Sequence, residues 1–256
     1  MYWCAVLALA ATVMAADEST MRSSVDGETL HAVSVRILGL TFSDVVGKPV
    51  MSGDELRFSD CTARLCGGTV NAHIAIGMAD HTARLRADVS GVDLAAIIAM
   101  LGSNSAGASG TGSGWIELTI PPGGSSTMIG RGEFTIDHGD LLRFGAFSKL
   151  LVGDPLAKDN ADVLTSRFDI AGGRIQFKGA TLRSPGAVVK FRGTIGLDGR
   201  LDLVAIPFPE FALLQVVPGI GDAAAWLLGR TSSRLARAVI RGQIGNPVVV
   251  INPFAD

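Results

Sequence analysis

Apolar and polar positions alternate along most of this chain. Phe134 and Ile136 are interleaved with Glu133, Thr135 and Asp137; Ala83, Leu85, Ala87 and Val89 oppose Thr82, Arg84, Arg86 and Asp88. A period of two is the mark of a strand with one wet and one dry face. The same pattern predicts a first strand around Val33, Val35 and Ile37, ended by Gly47-Lys48-Pro49. A hairpin follows, Glu55 to Leu65 and Thr69 to Ile76, across Cys66-Gly67-Gly68. Trp115 to Ile120 and Met128 to Ile136 pair across Pro121-Pro122-Gly123-Gly124. Four strands in quick succession then form a meander: Val163 to Ile170, Arg174 to Leu182, Ala187 to Ile195 and Arg200 to Ile206, the last ended by Pro207 and Pro209. Ala238 to Ile244 and Val248 to Ile251 make a closing hairpin.

The period changes in three places. After His138-Gly139, read as a turn, Leu141, Leu142, Phe144, Phe147, Leu150 and Leu151 fall at helical spacings behind Asp140 as N-cap. Val92 to Leu101 is a nearly continuous apolar run of helix formers that Asp93 can cap. Ala223 to Arg237 carries Trp226, Leu227, Leu228 and Leu235 with Arg230, Arg234 and Arg237 interleaved. Such a helix either faces lipid head groups or lies on the surface. Gly102 to Gly114 lacks apolar periodicity and reads as a flexible connection or a pair of turns. The expected fold is mainly β: a long curved antiparallel sheet or groove of meander hairpins with two or three short helices.

Composition agrees with that reading. Among 256 residues there are 32 glycines and one tyrosine, which favours many turns over a helical bundle. With 22 basic and 24 acidic residues the chain has no broad basic field, so nucleic acid is not an expected partner. The organisation read from the sequence is 1–16 as a signal peptide or short membrane anchor, 17–54 as an N-terminal segment with the first strand, and 55–256 as one β domain. Met1 to Ala16 is apolar and ends in small residues, but it has no Lys or Arg at its start and only partly matches a cleavage site.

Candidate chemistry is sparse. The glycines of GASGTGSG miss the spacing of a nucleophile elbow, no glycine-rich stretch ends in Gly-Lys-Ser/Thr, and HExxH is absent. His138 and Asp140 straddle the predicted turn, where a solvated histidine is the ordinary reading. Cys4 would leave with a signal peptide. Cys61 and Cys66, five apart in one strand, point to opposite faces and are expected as free thiols rather than a disulfide. Neither they nor His31, His73, His81 and His138 stand at zinc-ligand spacing. A non-enzymatic role, with no cofactor and no metal, is the expectation.

Five stretches in order resemble the C-terminal region of the AsmA-like family of bacterial envelope proteins. FSDCTARLCGGTVNAHIAI is similar to its strand, Gly-Gly turn and strand, with Cys66 where an aromatic is common. LRADVSGVDLAAIIAML resembles its strand and Val-Asp-Leu helix, and GRGEFTIDHGDLLRFGAFSKLL its Gly-rich strand, Asp-x-Gly turn and helix. RFDIAGGRIQFKGATLRSPGAVVKFRGTIGLDGRLDLVAIP resembles its closing meander, and RGQIGNPVVVINPF its terminal Gly-x-x-x-Pro strand. The specificity lies in the ordered series, which covers roughly Glu55 to Phe254, rather than in any one motif. The resemblance implies a lipid-lining groove, a periplasmic or cell-envelope location, and a role in envelope homeostasis or phospholipid movement towards the outer membrane. It also implies phospholipid or another acyl-chain lipid, a membrane surface and other envelope proteins as partners.

Family members usually have an evident N-terminal anchor and a much longer preceding region, whereas here a short apolar start is followed by Asp17 to Asp54. Some 11 to 13 strands side by side span roughly 50 to 60 Å at most. The candidate groove lining is Phe134, Ile136, Phe168, Ile175, Phe177, Val189, Phe191 and Leu203. Leu142, Phe144, Phe147 and Leu151, on the helix expected at Asp140 to Leu151, are candidates to cap it. The same residues read equally well as a packed core under the helices, and the chain as a scaffold or regulatory module that binds proteins through a sheet edge or the C-terminal helix.

Overall fold

The computed structural model describes residues 23–26, 29–37, 39–100, 109–122, 126–140, 162–184, 187–209, 237–243 and 246–252. They form one unclosed antiparallel sheet of fourteen strands in which every strand pairs with its neighbours in sequence. The strands are β1 (Ser23–Asp26), β2 (Thr29–Ile37), β3 (Leu40–Ser52), β4 (Glu55–Leu65), β5 (Gly68–Gly77), β6 (Ala83–Asp93) and β7 (Thr111–Ile120). They continue with β8 (Ile129–Gly139), β9 (Asp162–Ala171), β10 (Arg174–Ser184), β11 (Ala187–Gly196), β12 (Arg200–Pro209), β13 (Arg237–Gln243) and β14 (Asn246–Asn252). The sheet runs unbroken from β3 into β4, so 23–52 is continuous with the rest. At about 4.8 Å per strand, the strip is roughly 60 Å long.

Turn chemistry makes the meander. Cys66 (φ 44°) and Gly67 (φ 82°) form a two-residue loop between Leu65 and Gly68, and Gly172 (φ 56°) and Gly173 (φ 69°) do the same between β9 and β10. Two successive residues with positive φ give the turn whose twist matches that of the flanking strands. Bulges bend it further. On β4, β6, β8 and β10, two residues face one on the following strand, between Phe58 and Cys61, Val89 and Val92, Ile136 and Gly139, and Phe177 and Ala180. In each, one of the two residues has positive φ: Asp60, Gly91, His138 and Gly179. A repeated bulge on alternate strands bends them and increases the local twist.

The two faces differ sharply. One carries Leu56, Ile76, Ala83, Leu118 and Ile170 in one buried cluster, and Leu182, Val189, Ala205 and Ile240 in another. The opposite face carries charges in register. Arg86, Glu117, Arg131 and Asp169 stand side by side on β6 to β9, with Arg86–Glu117 at 3.1 Å and Arg131–Glu117 at 2.7 Å. Glu133 and Arg167 pair at 3.1 Å, Asp202 and Arg241 at 3.3 Å, and Asp169 with Lys178. Solvated pairs of this kind add about 0–1 kcal/mol each. Their larger effect is on register, because a one-residue slip would bury charges on the apolar face.

The helix among the described residues, α1 (Leu94–Met100), is capped as its sequence predicts: Asp93 Oδ1 accepts from the N–H of Ala95 at 2.8 Å and of Ala96 at 3.2 Å. Ile97 packs against the cluster around Leu65, Val70 and Ala87, and the Thr41 N–H reaches Met100 Sδ at 3.0 Å. The helix therefore crosses from the end of β6 back to β3. Helices expected at 140–151 and across most of 223–237 lie outside the described residues.

Several boundaries differ from the sequence expectation. Gly47-Lys48-Pro49 does not break the chain; β3 runs through it to Ser52, with Gly47 buried. A Cβ on Gly47 would stand 2.7 Å from Cys61 Sγ, so the glycine makes room for a side chain of β4. Val33 does not face inward but is 63% exposed, while Leu30 and Ala32 are buried opposite Gly47 and Val45 of β3. His138-Gly139 is not a turn: His138 lies in the β8 bulge and Gly139 pairs with Asp162 of β9. Thr111 to Gly114 belongs to β7, Arg237 opens β13, and β12 continues past Pro207 to Pro209. Among the described residues β13 pairs with β12 only up to Ala205, so the prolines lie where no second described strand pairs with β12 and an absent N–H is tolerated.

Cys61 and Cys66 are free, the first buried in β4 and the second in the turn. Burial, helped by the adjacent Asp60 carboxylate, pushes the Cys61 thiol up to about 11. At pH 8 only about one Cys61 in a thousand is then thiolate, the reactive form. Timed alkylation at pH 8, read by mass spectrometry, is expected to label Cys66 while Cys61 reacts only on unfolding. Gly47→Ala is expected to cost about 1–3 kcal/mol, and Cys61→Ala to recover part of that loss. Urea unfolding of the two single variants and the double variant gives the coupling; additivity would show that the two sites do not touch.

Candidate functional site

The eight candidate groove residues all sit on the apolar face, but in two different settings. Ile136, Val189, Phe191 and Leu203 are buried, at 9%, 1%, 7% and 7% exposure, in one cluster with Ala180, Leu182, Ala205, Ala238 and Ile240. Phe134, Phe168, Ile175 and Phe177 are only partly buried. Three of these four form an aromatic group: the Phe134 ring centroid lies 6.1 Å from that of Phe168 and 6.4 Å from that of Phe177, the latter edge to face. Ile175, on the same strand as Phe177, packs instead with the cluster containing Ile170.

Small residues on the neighbouring strands position these rings. Phe134 stands between Gly114 of β7 and Ser166 of β9, and Gly132 of β8 stands opposite Phe168. A Cβ on Gly132 would run into the Phe168 ring at Cζ and lie 2.6 Å from the Trp115 carbonyl oxygen. Gly130 is equally tight, with Leu118 Cδ2 at 2.6 Å. The ring therefore lies over the glycine of the next strand, an arrangement that covers the bare backbone of the glycine. Ser166, 2% exposed, donates through Oγ to the Arg167 carbonyl oxygen at 3.2 Å, so its hydroxyl is satisfied beneath the aromatic side chains.

The site has an apolar floor, and charge lies elsewhere. Glu133, Arg131 and Arg167 alternate with the aromatic positions and lie on the opposite face in ion pairs. Asp162, 5% exposed at the start of β9, is the buried charged residue among those described, and it too has an interaction partner. Among the described residues no three His, Cys, Asp or Glu side chains come together as a metal cluster, and no helix is long and apolar enough to cross a membrane. The partly buried rings present apolar surface, and among these residues no nucleophile stands with a base beside it.

The four helix-cap candidates, Leu142, Phe144, Phe147 and Leu151, lie outside the described residues. α1 lies at the end of β6, with Leu94 packed against the cluster of Ile136 and Leu203. The alternation argument missed Ala180 and Leu182, since a strict period of two from Phe177 leads to Gly179, Thr181 and Arg183. The signal available was the Lys178-Gly179 break in that period.

No family model, no curated protein and no solved structure matches this chain.

Gly132→Val is expected to displace the Phe168 ring and destabilise the sheet by about 1–3 kcal/mol, with Gly132→Ala smaller in effect. Urea midpoints measure it, and an unchanged midpoint for both would mean that the ring does not depend on the glycine.

Proposed function

We propose that this chain is a non-catalytic cell-envelope protein that binds or moves phospholipid or another acyl-chain lipid along the apolar face of its sheet, in support of outer-membrane homeostasis. The observation that carries the reading is geometric. A sheet of fourteen strands stays open, turns its apolar face to one side over successive strands, and leaves the rings of Phe134, Phe168 and Phe177 only partly covered. Acyl chains are selected by burying methylene groups, at about 0.8 kcal/mol per CH₂, and need no directed polar contact. The ordered resemblance to the AsmA-like C-terminal region supports the same class, together with export to the periplasm and contact with a membrane surface or other envelope proteins.

A second reading, an envelope scaffold without lipid transfer, draws its support from the outer edge of β14, with which no further described strand pairs, and whose Val248 and Val250 are 57% and 55% exposed. The two readings part on lipid. Protein purified without detergent is expected to carry phospholipid detectable by mass spectrometry, or to take labelled phospholipid from vesicles. A folded preparation that does neither contradicts the lipid reading.

The two settings within the groove give a sharper test. Phe177→Glu, at a partly open position, is expected to leave the fold intact by circular dichroism and to abolish uptake. Phe191→Glu, in the buried cluster, is expected to lose about 3–5 kcal/mol or more and unfold the protein. If Phe177→Glu also unfolds it, the aromatic group is core and not a binding surface.

A further inference from the structure

Among the described residues, the strand that ends the sheet carries little of the protection such edges usually have. β14 has one strand neighbour among the described residues, β13, so its outer row of N–H and C=O groups faces away from the sheet. Bare edges of this kind template pairing with another strand, and proteins block them with charge, proline, bulges or extreme shortness; β14 has one of these, Pro247 at its second position, which leaves Val248–Asn252 free of any. Of the fourteen strands, β14 alone contains no ionisable residue: its sequence is NPVVVIN. Its pairing with β13 is regular over all seven residues, with no bulge to twist it away. The opposite edge differs, since β1 is a four-residue strand, SSVD, that ends on a carboxylate.

The side chains say what kind of strand fits. Val249 pairs with Ile240 on the apolar face, while Val248 and Val250 pair with Arg241 and Val239 on the face that elsewhere bears ion pairs. An added strand must therefore be apolar on both sides along its middle. β14 itself meets that requirement.

We propose that two copies of this chain associate through antiparallel β14–β14 pairing about a twofold axis normal to the sheet at Val249. Centring on Val249 is the register that pairs all seven residues: Val249 faces Val249, and Val248 faces Val250 of the second copy. Because an antiparallel neighbour keeps the same faces, the apolar face continues across the axis into a strip of roughly 130 Å. The contact rests on the edge alone and holds whether or not the face carries lipid. A seven-residue strand pair is at the small end of stable interfaces, so the dimer is reversible and concentration-dependent.

Sedimentation velocity from micromolar to millimolar concentration tests it. The wild type is expected to pass from monomer to dimer across that range, and Val248→Lys/Val250→Lys, which sets like charges opposite each other, to remain monomeric with unchanged circular dichroism. Val248→Lys/Val250→Glu sets opposite charges across the axis and is expected to recover the dimer, which a nonspecific loss of apolar surface would not allow. Directly opposed residues in antiparallel strands have Cα atoms about 4.5–5.5 Å apart, within disulfide range. Val249→Cys is therefore expected to give a covalent dimer on mild oxidation that the wild type does not give, and this decides the matter if the lysine variant fails to fold. A wild type that is monomeric throughout, a dimer that survives Val248→Lys/Val250→Lys in folded protein, or a Val249→Cys that does not cross-link, overturns the proposal.

Discussion

A single sheet has one apolar face only if every strand turns its apolar side chains to the same side, and here thirteen successive pairings must agree. Adding one residue to a strand would normally reverse its faces from that point on. This chain does add residues, on β4, β6, β8 and β10, yet the apolar face remains continuous because each addition is absorbed as a bulge. Leu56 and Phe58 face the core from even positions of β4, and Cys61 and Leu65 from odd ones. On β10 the switch runs the other way, from Phe177 to Ala180 and Leu182. The extra residue takes up the parity change and adds twist. Asp60, Gly91, His138 and Gly179, the positive-φ residues at these points, hold the curvature that a strip of strands would otherwise lack.

Energy and specificity are divided between the faces. The apolar face supplies stability by area, and there the fine fit comes from pairing large rings with small neighbours, Phe168 with Gly132 and Phe134 with Gly114 and Ser166. The charged face adds little stability per pair, because most of its arginines are more than half exposed. Its rows of alternating sign instead make wrong registers costly. Gly47 beside Cys61 shows the same fitting on β3 and β4, where a glycine in mid-strand gives room to a thiol.

This division explains which parts could be read from the sequence. Strands such as β5 and β9 keep a strict period of two and carry a glycine turn at one end, Cys66-Gly67 before β5 and Gly172-Gly173 after β9, so their faces and these hairpins were legible. The aromatic group was legible too, since Phe134, Phe168 and Phe177 precede the bulges on their strands or lie on strands without one. What failed were positions decided by a neighbour. Gly47-Lys48-Pro49 looks like a break until Cys61 is placed beside it, and Val33 looks buried until β2 is seen to turn Leu30 and Ala32 to the apolar side, beside Gly47 and Val45 of β3. Pro207 looks like a stop until β13 is seen to end short of it. Ala180 and Leu182 were lost because the alternation was carried unbroken through Lys178-Gly179. Whether a partly buried ring is core or groove depends on what lies above it, and a single chain's alternation does not encode that.

Failure to close connects these features. A barrel of the same strands would bury its apolar residues inside and pair its last strand with its first, leaving neither an open face nor a free edge. Here β1 and β14 stay apart at the two ends of the order, so both remain to be satisfied. Bulges curve the sheet enough to bury Leu182, Val189 and Ala205 against their neighbours but leave the Phe134, Phe168 and Phe177 rings partly open. An apolar ligand would satisfy the face and an added strand the edge, and these are separate demands made by separate residues. A variant at Phe177 and a variant at Val250 should therefore act independently, since no strand is shared between β10 and β14 and four strand spacings, roughly 19 Å, lie between them.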